Sequence, residues 1–390
     1  MELWKCPRCG NEDIKFIGRK KGIPYCRRCI EFQGEEVSYT FRQKQEVHYE
    51  LKYPLSPEQI RASNEILEGY LHNENVLVHA VCGAGKTELV YPVISKALSE
   101  GKRVGFAIPR KDVVIELYPR LCSSFPHVRI VAVYGGNHQE LEGDIVLITT
   151  HQLYRYPSYF DLLIVDEIDA FPFQNNEVLH HFFKKSLRNS YIWMSATPSK
   201  QLCKDFTRPG HRIVRLMTRF HEHPLPVPKY QIFPFPILLL QSIQKLKEWQ
   251  KERKPALVFV PTIDLCHSLF QKISPFVKNG EYVHSQREER EKIIERFKKK
   301  ELDYLVTTSV LERGVTVKNL QVIVFFASHP IYTSYSLVQI SGRVGRKIDA
   351  TDGEVWFYAT NKNKEMQQAE DEIIQANQVL QNMLSSRNSR

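Results

Sequence analysis

Short, continuous runs of apolar residues, separated by stretches with helical spacing, constrain the fold of this chain more than any other feature. The runs are NVLVHAV, RVGFAI, RIVAVY, DIVLITT, DLLIVDE and SYIWMSA, followed later in the chain by PALVFVP, YLVTTSV, VIVFFAS and GEVWFYAT. An apolar run without polar alternation is typical of a strand buried on both faces of a parallel sheet. The sequence therefore predicts two α/β units in tandem, and its 390 residues are enough for two or three domains.

The segment TRFHEHPLPVPKYQIFPFP, residues 218–236, contains five prolines and interrupts this alternation. Because proline lacks a backbone donor and disfavours helix in the residue before it, we interpret the segment as a linker. The predicted organisation is a cysteine-containing module (1–45), a first lobe (46–215), the linker (216–236), a second lobe (237–362) and a C-terminal helix and tail (363–390).

The stretch HAVCGAGKTELV follows the first apolar run and opens a helical pattern. Glycines let backbone N–H groups approach phosphate oxygens, and a helix N-terminus adds a positive dipole. Five residues are predicted to cradle the phosphates of a nucleoside triphosphate: Gly83, Ala84, Gly85, Lys86 and Thr87. Lys86 would neutralise phosphate charge, and the Thr87 hydroxyl would bind Mg²⁺. Ala80 stands where the strict phosphate-loop pattern has glycine.

In the run LLIVDEIDAFPF, residues 162–173, two adjacent acids, Asp166 and Glu167, stand at the end of a predicted buried strand. A strand that simply stops at a solvated turn would also end in polar residues. The phosphate loop elsewhere in the chain favours a metal-nucleotide site instead. Asp166 is predicted to hold Mg²⁺, and Glu167 to orient or activate the attacking water.

The N-terminal sequences CPRC and CRRC form a C-x2-C-x16-C-x2-C pattern. Two such pairs are typical of a zinc ribbon, in which four thiolates hold one tetrahedral Zn²⁺. The predicted ligands are Cys6, Cys9, Cys26 and Cys29. Because a catalytic zinc keeps a position open to water, we expect a structural metal. The basic residues of the module are compatible with DNA binding, with partner binding, or with a module that needs metal only to fold.

A formal net charge of +10 favours a polyanionic partner, since neutralising phosphates releases counterions. The sequence has no run of about 18 apolar residues, and its N-terminus lacks the pattern of a signal peptide. We therefore expect a cytoplasmic protein. A peripheral association with the inner face of the cell membrane stays open.

Further motifs make residues 50–360 resemble the superfamily 2 helicases, and the AxxGxGKT form of the phosphate loop is similar to a helicase variant. The resemblance implies two RecA-like lobes of the P-loop NTPase kind. It also implies that Gln59 reads adenine, although a lone glutamine before a helix is often a surface residue. The motif SATPS would couple nucleotide state through Ser195, Ala196 and Thr197. In the first lobe, strand contacts are implied for Pro109, Arg110, Thr149, Thr150, His151 and Gln152.

In the second lobe, the resemblance is carried by YVHSQREEREKIIERF, TTSVLERGVTV and QISGRVGRK. It implies strand contacts at His284, Ser285, Thr307, Thr308 and Arg313, and coupling at Gly314 and Gln339. Arg343 and Arg346, at i and i+3 of a predicted helix start flanked by glycines, would stabilise charge on the transferring γ-phosphoryl from the opposite lobe. Contacts to backbone phosphates would make strand binding largely independent of sequence.

The four-cysteine ribbon, the compact helicase core, DEIDAFPF and TTSVLERGVTV together closely resemble the ComFA family of DNA-uptake helicases from naturally competent Gram-positive bacteria. The resemblance implies an ATP-dependent translocase on single-stranded DNA, with ATP, Mg²⁺ and structural Zn²⁺ as cofactors. It also implies partners: a ComFC-like protein with a phosphoribosyltransferase fold, the membrane DNA-uptake channel and single-strand-binding competence proteins.

Two other functions fit the same motifs. One keeps the motor but changes its task to replication restart or RNA remodelling, although the chain lacks the long N-terminal DNA-binding region and the cysteine-rich insertion of the primosomal helicase. The other is an ATP-gated adaptor that clamps DNA without moving along it. Glu167, Arg343 and Arg346 favour turnover, because a protein that only binds nucleotide does not need them.

Overall fold

The computed structural model describes residues 4–308, 317–347 and 349–388, with side chains up to residue 385. Two of the predicted site residues, Arg313 and Gly314, lie outside the described residues. Contacts divide the chain into two compact units. The first comprises Met1–Ala80 with Gly85–Leu216, and the second comprises Val81–Ala84 with Met217–Arg390.

The first unit begins with the cysteine-containing module, in which strands β1 (Ile17–Lys20) and β2 (Ile23–Cys26) form an antiparallel hairpin. A 3-10 helix, Ile14–Phe16, precedes the hairpin and is capped by the side chain of Asp13. The four cysteines belong to the same buried cluster as the strands of the first large sheet. The module is therefore packed into the first unit.

A seven-stranded, all-parallel sheet forms the centre of the first unit, in the order β5-β6-β4-β7-β8-β3-β9. Its strands are β3 (Asn75–Ala80), β4 (Val104–Ile108), β5 (Ile130–Val133), β6 (Ile145–Thr149), β7 (Phe160–Asp166), β8 (Leu187–Ser195) and β9 (His211–Leu216). All five residues of β4 are buried, as the apolar run predicts for a strand covered on both faces. Because carboxyl ends of parallel strands share one edge, the ends of β3, β7 and β8 lie on the same side of the sheet.

Helices connect these strands: α1 (Pro57–Leu71), α2 (Lys86–Leu89), α3 (Tyr91–Ser99), α4 (Lys111–Ser124), α5 (Glu177–Ser186) and α6 (Lys200–Asp205). A 3-10 helix, Thr150–Arg155, follows β6 directly. A capping box fixes the start of α1: the Ser56 hydroxyl accepts a hydrogen bond from the Gln59 backbone N–H, and the Gln59 side chain accepts one from the Ser56 N–H.

The second unit contains a six-stranded, all-parallel sheet in the order β10-β15-β14-β11-β13-β12. Its strands are β10 (Lys229–Ile232), β11 (Ala256–Phe259), β12 (Gly280–Val283), β13 (Tyr304–Thr307), β14 (Gln321–Phe325) and β15 (Val355–Ala359). Its helices are α7 (Phe235–Lys251), α8 (Ile263–Ile273), α9 (Arg290–Lys298), α10 (Ser334–Ser341) and α11 (Lys364–Asn388). The prediction of two parallel-sheet lobes preceded by a ribbon is confirmed.

The segment predicted as a linker contains a strand of its own. Residues 229–232 form β10, which pairs with β15 at the edge of the second sheet. The prolines lie on either side of this strand, at positions where the ladder needs no N–H from them. Pro234 and Pro236 then frame the start of α7, where proline is tolerated because the first helical N–H groups lack partners.

At the C-terminal end, α11 packs against α10. Among the described residues, no helix is long and apolar enough to cross a membrane.

Candidate active site

The phosphate loop connects β3 with α2. Gly83 and Gly85 have φ angles of 81° and 74°, in the left-handed region that glycine adopts without a Cβ clash. Helix α2 begins at Lys86, immediately after the second of these glycines. A strand–glycine–helix arrangement of this kind is typical of phosphate-binding loops.

The predicted phosphate-binding lysine and the predicted metal ligand lie together in the first unit. Lys86 Nζ is 3.7 Å from Asp166 Oδ1, and the two side chains are 15% and 14% exposed. Asp166 is the last residue of β7, so the sheet fixes the direction of its carboxylate. The ion pair joins the start of α2 to the carboxyl end of β7.

Glu167 occupies a strained position beside this pair. Its φ is 59°, in a region that costs a non-glycine residue about 1–3 kcal/mol. Its backbone N–H donates to Asp166 Oδ1 at 2.8 Å, and its carbonyl accepts a hydrogen bond from the Ala170 N–H at 2.9 Å. Strain held in place by such bonds is typical of functional turns. The predicted role of Glu167, to orient or activate the attacking water, stays a prediction.

A third acid of the same run, Asp169, connects this turn to the end of β8. Its Oδ2 accepts hydrogen bonds from the Ser195 hydroxyl at 2.6 Å, the Thr197 hydroxyl at 3.1 Å and the Thr197 N–H at 3.3 Å. Ser195 is fully buried, and Ala196 between the two donors is buried as well. The sequence analysis assigned Asp169 no role. The sequence signal that could have identified it is its position three residues after Asp166, because this spacing places both carboxylates at the turn that follows β7.

Gln59 is buried, at 4% exposed, so the surface alternative for this residue does not hold. Its side-chain oxygen is engaged in the capping box of α1. Its amide nitrogen lies so close to Gly85 that a Cβ at that glycine would be 2.5 Å from it. Gln59 therefore lies directly against the phosphate loop.

Three of the predicted strand contacts in the first unit are buried. Pro109 is buried at the end of β4, and Thr149 and Thr150 are 5% and 0% exposed at the end of β6. The Thr150 hydroxyl has no hydrogen-bond partner among the described residues. Arg110, by contrast, is half-buried at the start of α4, 3.7 Å from Asp112. Of these four residues, Arg110 is the one whose side chain reaches solvent.

His151 and Gln152 lie in the 3-10 helix after β6 and are half-buried. The His151 ring stacks on Phe32 of the cysteine-containing module, with centroids 6.2 Å apart. Burial lowers the pKa of His151, so the ring is neutral at pH 7. Gln152 Oε1 accepts a hydrogen bond from Arg155 Nε at 2.7 Å. Both side chains thus have partners within the first unit.

In the second unit, Thr307 and Thr308 are buried at the end of β13, and Gln339 is buried on α10. His284 is half-buried directly after β12, where its ring stacks near Tyr282, and Ser285 is exposed. The structure thus places His284 and Ser285 nearest to solvent among these predicted residues.

The prediction that Arg343 and Arg346 stand at the start of a helix is wrong: they follow the end of α10, which stops at Ser341. Gly342 caps that helix, and Gly345 has a φ of 68°. Gly345 thus takes the left-handed conformation in which the chain turns after the helix, and glycine adopts this conformation without a Cβ clash. We call residues 342–346 the arginine loop. Arg343 is 1% exposed, and Arg346 Nε donates to the Gly342 carbonyl at 2.9 Å.

The four N-terminal cysteines are brought together as predicted. Their sulfur atoms all lie within 4.8 Å of one another, with Cys6 Sγ 3.5 Å from Cys29 Sγ and Cys9 Sγ 3.6 Å from Cys26 Sγ. A tetrahedral Zn²⁺ with Zn–S bonds of about 2.3 Å needs sulfurs about 3.8 Å apart, so the cluster fits this ion. Burial raises the pKa of the Cys9 thiol to about 11, a shift that a bound cation would reverse.

The cysteine-containing module docks on α5 and on the 3-10 helix after β6. Phe32 lies between Tyr154 and Phe182, with ring centroids 5.8 and 5.0 Å away. Arg28 forms an ion pair with Glu177 at 2.9 Å. Backbone contacts extend the interface, since the Val37 N–H donates to the Arg155 carbonyl at 2.7 Å. The sequence analysis did not identify Phe32, because one phenylalanine in a polar stretch carries no periodic signal.

Known protein families and two curated proteins match this chain. The family described as Type III restriction enzyme, res subunit matches residues 52–200, and the family described as Helicase conserved C-terminal domain matches residues 238–347. Competence protein ComFA of Bacillus subtilis is 34% identical over 96% of this chain and 86% of its own length. Competence protein ComFA of Streptococcus pneumoniae is 35% identical over 95% of this chain and 90% of its own length.

Solved structures share the fold at low sequence identity. S. cerevisiae Dbp5 bound to RNA and ADP BeF3 has a TM-score of 0.59 at 15% identity, covering 83% of this chain and 92% of that one. Mycobacterium smegmatis helicase Lhr bound to ssDNA and AMP-PNP has a TM-score of 0.61 at 17% identity, covering 84% of this chain and 48% of that one. The two sheets are therefore the RecA-like lobes of a helicase fold.

The two domain families match successive parts of the chain, and the two ComFA proteins match over nearly its full length. The chain is an ATP-hydrolysing enzyme of the helicase type, and it belongs to the ComFA family of competence proteins.

Proposed function

We propose that this chain is an ATP-driven translocase that moves along single-stranded DNA during DNA uptake. Membership of the ComFA family supports the link to competence. The observation that carries the proposal is the Asp169 network, because it joins the turn of the predicted metal ligand to the Ser195–Thr197 segment. A nucleotide site linked in this way can pass on a change in phosphate occupancy, which a simple nucleotide-binding domain does not require.

At the nucleotide site, Lys86 would neutralise the β- and γ-phosphates, and Thr87 and Asp166 would hold Mg²⁺. When bound, the metal supplies charge neutralisation at the phosphates. Glu167 would orient the attacking water, with its strained backbone fixing the direction of its carboxylate. Gly83, Ala84 and Gly85 would donate backbone N–H groups, and Gln59, packed against the loop, would contact the base.

The arginine loop would complete the reaction. Arg343 and Arg346 would stabilise charge on the γ-phosphoryl, and Gln339 would help to couple this step to the strand. For the strand itself, Arg110, His284 and Ser285 are the most accessible of the proposed contacts. The buried threonines at the ends of β6 and β13 would contribute through their backbone.

The four-cysteine cluster would hold a structural Zn²⁺, and a ComFC-like protein, the uptake channel and single-strand-binding competence proteins would be partners at the inner face of the membrane. These partners enter the proposal through the family alone. The solved relatives leave the choice of nucleic acid open, because one of them was bound to RNA and the other to ssDNA.

The test is steady-state ATP hydrolysis with no nucleic acid, with single-stranded DNA, and with RNA of equal length, for the native chain and for Lys86→Ala. Lys96→Ala is the matched control, because Lys96 is an exposed lysine on α3 whose partner is Glu100. We expect strong stimulation by DNA, weaker stimulation by RNA, and loss of turnover in Lys86→Ala alone.

Displacement of a protein block from single-stranded DNA then separates a motor from an adaptor. A translocase removes the block in the presence of ATP and leaves it in place with a non-hydrolysable analogue. Turnover that is indifferent to DNA, or that prefers RNA, would contradict the uptake proposal. DNA-stimulated turnover without displacement would favour the ATP-gated adaptor.

A further inference from the structure

Arg219 is a fully buried arginine in the segment that follows β9. It is 2% exposed, and among the described residues no carboxylate lies within ion-pair distance of it. Burial, together with the positive charge of Arg346, lowers the pKa of Arg219 to about 10. Burying an arginine without a counter-ion is unfavourable by several kcal/mol, so its partners need explanation.

Those partners are the carbonyls of the arginine loop. Arg219 Nη1 donates to the carbonyls of Val344 and Gly345, both at 2.9 Å, and Nη2 donates to the Gly342 carbonyl at 3.3 Å. These carbonyls lie just beyond the C-terminus of α10, where the helix dipole is negative. The helix end thus supplies the charge compensation that no carboxylate of the described residues provides.

His221 holds the same loop from a second point. Its Nε2 donates to the Gly345 carbonyl at 2.9 Å, and its Nδ1 accepts a hydrogen bond from the His223 N–H at 3.2 Å. Both bonds require the neutral ring with its proton on Nε2. Burial and the nearby Arg219 charge lower the pKa of His221 to about 4, which keeps the ring in this form at pH 7.

Gly345 leaves space for the Arg219 guanidinium beside the arginine loop. A Cβ at Gly345 would collide with the Thr351 carbonyl and lie 3.1 Å from Arg219 Nη1. A side chain at position 345 would therefore disturb both the turn of the loop and its contact with the Arg219 guanidinium.

Asn377 of α11 fixes the other end of the segment. Its side-chain oxygen accepts a hydrogen bond from the Leu225 N–H at 2.7 Å, and its amide donates to the Leu225 carbonyl at 2.9 Å. We call residues 217–225 the bracing segment. It joins the arginine loop to the C-terminal helix, whose contribution the sequence motifs do not define.

We propose that Arg219, assisted by His221, is a positioning residue for ATP hydrolysis: the bracing segment sets the conformation of the loop that carries Arg343 and Arg346. The inference rests on the catalytic role proposed above for those two arginines. Arg219 acts through the loop, since both of its terminal nitrogens donate to backbone carbonyls of that loop.

The test uses the full chain with Arg219→Lys, which keeps the charge but loses the planar fork of donors. Misplacing a catalytic group by about 1 Å can lower the rate about 100-fold, so a shift of the loop by up to that distance should lower kcat by about 10- to 100-fold. We expect a fall of that size with KM for ATP and affinity for ADP unchanged within about twofold. Affinity for ADP with Mg²⁺ and aluminium fluoride, which resembles the transferring phosphoryl group, should fall by the same factor as kcat. A purely structural role would not produce this selective loss.

Arg296→Lys is the matched control, because Arg296 is half-exposed on α9, where its ion-pair partner is Glu301. The double variant Arg219→Lys with Arg346→Ala shows whether the two residues act through one element. We expect the combined fall in kcat to be smaller than the product of the two single falls, since residues that act through one element are not additive; the remaining loss in the double variant reflects the misplaced Arg343. Asn377→Ala removes the hydrogen bonds that hold Leu225 of the bracing segment and leaves the Arg219 guanidinium unchanged. We expect kcat to fall in this variant too, but by a smaller factor than in Arg219→Lys.

The outcomes distinguish the catalytic role of the arginine loop from the positioning role of Arg219. If Arg343→Ala and Arg346→Ala leave kcat unchanged, the proposed catalytic role of the loop fails. If they lower kcat while Arg219→Lys retains native turnover, the positioning role is overturned. Additive losses in the double variant, or equal losses in ADP affinity and kcat, would overturn it as well. A melting temperature for each variant identifies any that fails to fold, and in that case Asn377→Ala decides.

Discussion

Replacing Asp169 tests the link between the nucleotide turn and the Ser195–Thr197 segment. In Asp169→Ala, three hydrogen bonds to one carboxylate oxygen are lost. Ser195 is fully buried, so its hydroxyl would be left without an acceptor, at about 1–3 kcal/mol. The Thr197 bonds share the same oxygen and are not additive with the first, so we expect a total loss of about 3 kcal/mol.

This loss should appear as a lower melting temperature. For a unit of this size, 1 kcal/mol corresponds to about 2–4 °C, so the melting transition of the first unit should move down by about 6–12 °C. In Asp169→Asn, a neutral amide oxygen still accepts hydrogen bonds. Charge-assisted bonds are roughly twice as strong, so we expect the melting temperature to fall by about half as much as in Asp169→Ala. Calorimetry of both variants measures the shift.

The same variants should hydrolyse ATP in the absence of DNA but respond less to single-stranded DNA, because the link between the two segments is broken. The control is Asp205→Asn. Asp205 is a half-exposed acid at the end of α6 whose partners are Gln201 and Arg208, and we expect its replacement to change the free energy of unfolding by less than about 0.5 kcal/mol. Native melting temperature together with full DNA stimulation in Asp169→Ala would refute the reasoning.

Three further outcomes can be measured. Phe32→Ala should destabilise the first unit by about 2 kcal/mol, roughly half the value of a fully buried phenylalanine, because Phe32 is only partly buried; chemical denaturation measures this. Removing zinc with a chelator, or Cys29→Ser, should lower the melting temperature of the same unit, because metal-binding free energy is folding free energy; zinc content is measured in parallel. His221→Gln should flatten the acid side of the stability profile. The unfolded histidine takes up a proton below about pH 6.5 and the folded one only near pH 4, so the native second unit loses stability as pH falls between these values.

Much of the fold could be predicted because continuous apolar runs leave few alternatives to buried parallel strands. The order of the strands could not, since β7 and β3 are separated by β8 through packing between residues distant in sequence. At the site, the proximity of Lys86 and Asp166 followed from the shared edge of parallel strands. Their proximity could be predicted because Asp166 ends one strand and Lys86 follows the glycine loop after another, and an apolar run indicates each strand.

The arginine loop shows where a sequence motif was misread. The glycines of QISGRVGRK indicate a helix end as readily as a start, and the helical spacing of Leu337 and Ile340 before Gly342 favours the end. Arg219 could not be found in the same way. Its partners are backbone carbonyls more than a hundred residues away, and a carbonyl carries no side-chain signature in the sequence.

The docking of the cysteine-containing module changes how loss of zinc must be interpreted. The four cysteines and the residues around Phe32 share one buried cluster with the first sheet, and His151, a predicted strand contact, stacks on Phe32 itself. A cysteine variant that loses DNA stimulation would therefore not show that the ribbon touches DNA, since the same variant disturbs the 3-10 helix after β6. Phe32→Ala separates the two cases, because it weakens the docking while leaving all four thiolates in place. Loss of DNA stimulation in Phe32→Ala, with zinc retained, would mean that the ribbon acts by supporting the first lobe. Normal stimulation in Phe32→Ala, with loss in Cys29→Ser, would mean that the metal-bound ribbon contributes to DNA binding directly.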